Sequence, residues 1–172
     1  MWQGGQLWSA GKLNVSVEHF ASNFFRAMLT NLFHITPGMS SGTTAIVCCA
    51  PGEPHELAPL MLALFLRRKG VRVIYLGQSI EIAGLVQTIK KLSPALVCVS
   101  LTMPAYLSSV MDLGRQLHEL PSPRPVFAFG GQVFTRYTGV IPQIPGIYLG
   151  DDLQAITEQL YTMLNKRTDN RN

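Results

Sequence analysis

Cysteine is scarce in this chain: three in 172 residues, two of them adjacent. No pair has the spacing of a thiolate metal site, and a disulfide scaffold needs more of them. Cys48, Cys49 and Cys98 all fall in apolar, strand-like runs, so we read them as reduced, buried thiols, with Cys48 and Cys49 pointing to opposite faces of one strand. Charge is also sparse, 14% of residues against 47% hydrophobic, which excludes a disordered polyelectrolyte. The net charge of +4 comes from lysines and arginines at expected helix ends and in the tail "NKRTDNRN". No basic stripe interleaved with aromatics occurs, so direct nucleic-acid binding by this chain is not expected. No run reaches the roughly 18 apolar residues of a membrane span, and no basic-then-apolar leader opens the sequence. The expected compartment is the cytoplasm, with no membrane partner. Three phosphate- or nucleophile-bearing motifs are missing as well: GxGxxG after the first strand, GxxxxGK[ST], and GxSxG.

What is present is an alternation of strand and helix patterns. "TTAIVCCA", "VRVIYLG", "PALVCVSLT", "RPVFAFGG" and "GIYLG" read as strands. The central ones are near-continuous apolar runs, as a parallel sheet covered on both faces requires. Between and after them, "ELAPLMLALFLRRKG", "EIAGLVQTIKKLS", "YLSSVMDLGRQLHEL" and "DDLQAITEQLYTMLNKR" read as helices. The expected fold is α/β, a doubly wound five-stranded parallel sheet of flavodoxin or Rossmann-like type. Ahead of it, "VSVEHFASNFFRAMLTNLF" has helical apolar spacing with Asn14 as its N-cap. The expected organisation is a partial helical cap over residues 1–36, a Gly/Pro/Ser-rich linker over 37–42, the sheet domain over 43–166 and a disordered tail over 167–172.

Ligands of open parallel sheets bind beyond the carboxyl ends of the strands. The segment after the first strand, "GEPHELAP", places His55 between Glu53 and Glu56. A histidine at a loop tip is commonly a solvated residue or a helix cap. Glu53, two residues back, can instead accept the proton of one ring nitrogen and leave the other free to ligate. One histidine cannot hold a bare metal ion, whereas a metal already held in a macrocycle needs only one axial ligand from the protein.

These residues bring a resemblance into view. "EPHELA" after the first strand, "SLT" after the third and "GG" after the fourth resemble cobalamin-binding domains, whose pattern is DxHxxG, SxL or SxT, and GG. Glu stands at 53 for the pattern's Asp, and Ala58 for its glycine. The resemblance implies that His55 is the lower axial ligand of cobalt and Glu53 its carboxylate partner. Glu56, Leu57 and Ala58 would complete the lower loop, and Ser100, Thr102, Gly130 and Gly131 would line a slot for the nucleotide tail. Upstream, "LWSAGKLNVSVEHFASNFFR" resembles the W-x9-EH segment of light-responsive, MerR-type regulators of the CarH and LitR kind. That implies Trp8, Val15, Glu18 and His19 around an adenosyl group above the corrin. Some members of that family carry a histidine right after the tryptophan, a position that is Ser9 here.

The resulting expectation is a non-catalytic module that holds adenosylcobalamin, senses light and changes its assembly. Homo-oligomers are the expected partners, and DNA contact would fall to a domain absent from this sequence. The competing expectation is a corrinoid methyl carrier or the cobalamin subunit of a mutase, which the lower-ligand motif fits equally well.

Overall fold

The computed structural model describes residues 14–38 and 43–169. Helix α1 (Val15–Ile35) begins at Asn14, whose side chain accepts the Ser16 N–H at 2.9 Å, the cap read from the sequence. After it come β1 (Thr44–Cys49), α2 (Leu57–Arg68), β2 (Arg72–Gly77), α3 (Ile82–Leu92), β3 (Leu96–Ser100), α4 (Leu107–His118), β4 (Val126–Gly130), α5 (Gln132–Arg136), β5 (Ile147–Tyr148) and α6 (Leu153–Asp169). All strand pairs are parallel, in the order β2-β1-β3-β4-β5, so the chain's path through the sheet reverses between β1 and β3. This is the expected doubly wound, five-stranded α/β fold.

The alternation of side chains along the central strands feeds two cores. Ala45, Val47 and Cys98 face α2 and α6, packing with Leu60, Ala63, Leu66 and Leu160. Ile46, Cys48, Val97 and Val99 face α3 and α4, with Leu85, Ile89, Val110 and Leu113. Both faces of β1 and β3 are therefore dry, which is why these strands read as unbroken apolar runs. The three thiols are free and buried, as expected. Burial lifts Cys98 to about 12, and raises Cys48 as well, with the Cys98 sulfur adding to the effect.

Helix α1 docks through its C-terminal half. Phe33 is its buried anchor, with the Arg67 guanidinium 4.6 Å above its ring and the Arg67 Nε–H donating to the Thr36 carbonyl at 2.7 Å. Burying such a ring is worth about 2–3 kcal/mol. The opposite face of the helix leaves Phe20, Phe24, Met28 and Leu32 exposed to solvent. Two details depart from expectation. Helix α6, seated by Leu160 and Leu164, runs to Asp169, three residues into the expected tail. The segment after Gly131 forms α5 and a 3-10 turn (Thr138–Gln143), which the apolar pattern had not indicated. No described helix is long and apolar enough to cross a membrane.

Candidate functional site

Where the sheet order reverses, the loops after β1 and β3 leave in opposite directions and open a crevice at the carboxyl edge. Glu53 spans it. Its side chain is fully buried, and its Oε2 accepts the backbone N–H groups of Thr102 at 2.8 Å and Met103 at 2.7 Å, both from the loop after β3. Its Oε1 accepts the backbone N–H of His55 at 3.0 Å and faces the Nδ1 of the same residue at 2.5 Å. Three backbone N–H groups point at this carboxylate, and the contact of its Oε1 with Nδ1 suits an Nδ1–H donor, which leaves Nε2 on the side of the ring facing away from Glu53. The ring is half exposed, and no described residue bonds Nε2.

The loop carrying this pair is fixed at several points. The Glu53 N–H donates to the Ala50 carbonyl at 2.9 Å, and the Ser79 N–H donates to the Glu53 carbonyl at 3.2 Å. Ser109 Oγ donates to the Pro51 carbonyl at 2.8 Å. Gly52 has φ +85, and a Cβ there would sit 2.6 Å from the Tyr106 ring, so the turn needs glycine on both counts. Across the crevice, Gly130 is buried at the end of β4. Gly131 has φ +115, and a Cβ on it would come within 2.3 Å of the Leu101 carbonyl oxygen. The chain's own approach to Leu101 thus requires glycine at 131.

Of the residues singled out in the sequence, Glu53, His55 and Thr102 are joined directly, with Ser100, Gly130 and Gly131 on the neighbouring strand ends. Leu57 and Ala58 begin α2, with Ala58 exposed. Glu56 turns its carboxylate toward Tyr75 and Arg26. Val15, Glu18 and His19 lie within the first five residues of α1. Glu18 accepts Ser22 Oγ at 2.6 Å and faces His19 Nδ1 at 3.3 Å, and no described hydrogen bond or ion pair joins these three residues to His55. Trp8 lies outside the described residues. Sequence reasoning missed Met103, Tyr106 and Tyr75. Each acts through contacts that no local spacing announces, such as the 50 positions between Met103 and Glu53.

The site is thus a carboxylate-held histidine at the switch point of a parallel α/β sheet. The B12 binding domain family matches residues 43–141, and the chain belongs to it. It is 35% identical over 127 residues to the HTH-type transcriptional repressor CarH of Myxococcus xanthus, covering 73% of this chain and 42% of that protein. It is 31% identical over 104 residues to the HTH-type transcriptional repressor CarA of the same organism, covering 59% and 36% respectively. The chain thus spans less than half the length of either curated relative. Among solved structures, the Methanosarcina barkeri monomethylamine corrinoid protein superposes with a TM-score of 0.71 at 15% identity, over 92% of this chain and 76% of that one, a likeness of fold.

Proposed function

We propose that this chain is the adenosylcobalamin-binding, light-sensing module of a transcriptional regulator, with His55 as the lower axial ligand of cobalt. The observation that carries the reading is the Glu53–His55 pair, in which the buried carboxylate meets Nδ1 and leaves Nε2 on the half-exposed side of the ring. The donor set fits a macrocycle-bound metal. No group of three or more His, Cys, Asp or Glu side chains that could hold a bare ion occurs among the described residues, and a corrin asks for one axial nitrogen.

Glu53 holds the ring and the two crevice loops, while Ser100, Gly130 and Gly131 border the space at the strand ends assigned to the nucleotide tail. Val15, Glu18 and His19 would approach the upper face as part of a helical cap. A bound adenosylcobalamin would supply a photolabile cobalt–carbon bond. The exposed Phe20, Phe24, Met28 and Leu32 on α1 support control of association as the output. Identity to two repressors favours this sensor over an enzyme subunit. The corrinoid-protein fold likeness keeps a methyl-carrier role as the second reading, which a preference for methylcobalamin over adenosylcobalamin would reveal.

The deciding experiment is an absorbance spectrum with adenosylcobalamin, in the dark and after green light, for wild type and His55→Ala. Wild type should give a base-off, His-on spectrum that the variant lacks. Identical spectra would sink the ligand assignment, and an unchanged molecular size after illumination would count against the sensor.

A further inference from the structure

The groove between α1 and the end of β2 gathers Arg26, Glu56 and Tyr75, of which the resemblance gives only Glu56, in the lower loop, a part in cofactor binding. Glu56 follows His55 directly and caps α2, its carbonyl accepting the Leu60 N–H at 3.0 Å. Its side chain is only 14% exposed, and two other elements hold its carboxylate. From β2, the Tyr75 hydroxyl donates to Oε2 at 3.1 Å and also reaches the Glu56 carbonyl at 3.3 Å. From α1, Arg26 Nη1 lies 3.4 Å from Oε1, while its Nη2 donates to Asn23 Oδ1 at 2.8 Å. The Tyr75 ring in turn sits 6.2 Å from that of Phe33, the anchor of α1. Burial and the neighbouring carboxylate hold the Tyr75 phenol in its protonated, donating form.

An ion pair with one half-exposed partner adds little to global stability. Its geometric effect is another matter. Among the described residues, this is the polar link between α1 and the loop that carries His55.

We propose that Glu56 is a positioning residue that couples α1 to the His55 loop: a bond at Nε2 restrains the loop, and Glu56 passes that restraint through Arg26 to α1. The proposal rests on the corrinoid reading above, because it needs a ligand at His55.

Hydrogen exchange on the full chain, with and without adenosylcobalamin, tests it in wild type, Arg26→Met, Arg26→Lys and Glu56→Gln. Loading should slow exchange along α1 in wild type by up to about fivefold, the scale of one half-exposed ion pair. Arg26→Met should lose that slowing while keeping the His-on spectrum and the protection of the sheet, Glu56→Gln should lose it as well, and Arg26→Lys should retain most of it. Should Glu56→Gln fail to fold, Arg26→Met decides alone, since its side chain lies on the helix surface. Wild-type slowing of α1 in Arg26→Met, with a normal spectrum, overturns the coupling by itself. A wild type with no cofactor spectrum overturns the corrinoid reading and the coupling with it.

Discussion

Replacing Glu53 by glutamine keeps the shape of the side chain and removes its charge. The wild-type oxygens accept from Thr102 N, Met103 N, His55 N and His55 Nδ1, at 2.8, 2.7, 3.0 and 2.5 Å. An amide has one accepting oxygen. With that oxygen turned toward Thr102 and Met103, its NH2 meets the His55 backbone N–H, donor against donor, and Nδ1 must become the acceptor. The ring proton then resides on Nε2, the nitrogen proposed to ligate. In the opposite orientation, the Thr102 and Met103 N–H groups lose their acceptor instead. Each arrangement strands at least one backbone donor, at about 1–3 kcal/mol, and replaces charge-assisted bonds by weaker neutral ones. The expected loss of unfolding free energy is therefore about 2–4 kcal/mol. Loss of such a carboxylate partner should weaken cofactor binding by about 10–100-fold. Urea unfolding of the cofactor-free protein gives the first number and absorbance titration the second, while imidazole nitrogen NMR reports which ring atom is protonated. A Glu53→Gln protein with an unchanged urea midpoint and its proton still on Nδ1 would refute the reasoning.

Three further outcomes follow from the structure. Gly131→Ala forces a Cβ to within 2.3 Å of the Leu101 carbonyl oxygen at φ +115, and should destabilise the fold by about 3 kcal/mol or more; a thermal midpoint within a degree of wild type would contradict it. The buried thiols should resist a thiol reagent in the native protein and react at once in urea. For Cys98, lifted from its usual 9.0 to about 12, the neutral form is favoured by folding, so its stabilising effect is complete below pH 9. That effect is lost by about 1.4 kcal/mol per pH unit as the pH rises from 9 toward 12. A stability that stays level between pH 8 and 10.5 in a denaturant series would exclude this.

The strands were legible because burial on both faces writes itself as unbroken apolar runs, as in "AIVCC" and "ALVCV". Helix α1 was legible from its period and from Asn14. Helix α5 was not: at five residues it completes too few turns to show a period, and Gly131, which opens it, reads only as a turn. In the site, the Glu53–His55 pair was visible because its members lie two positions apart. The Thr102 and Met103 donors were not, since what brings them to Glu53 is the pairing of β1 with β3, 49 and 50 positions along the chain. The Arg26–Glu56 contact was hidden for the same reason, as a product of how α1 docks and not of any motif.

Because Glu53 clamps the loops on both sides of the switch point, the imidazole of His55 has little mobility of its own. To swing the ring, the protein must break its Nδ1 contact with Glu53, a carboxylate that the loop after β3 holds in place next to the strands whose opening costs most in such a sheet. The floor of the site is in this sense a fixed stop, tied to the stiffest part of the molecule. The wall that α1 would form is compliant by comparison: Phe33, the Arg67–Thr36 bond and the half-exposed Arg26–Glu56 pair hold the helix, with an apolar flank facing water. Strain developed between floor and wall is relieved by moving the wall. Displacement at this site should therefore be read out on the outer face of α1, with the sheet left undisturbed.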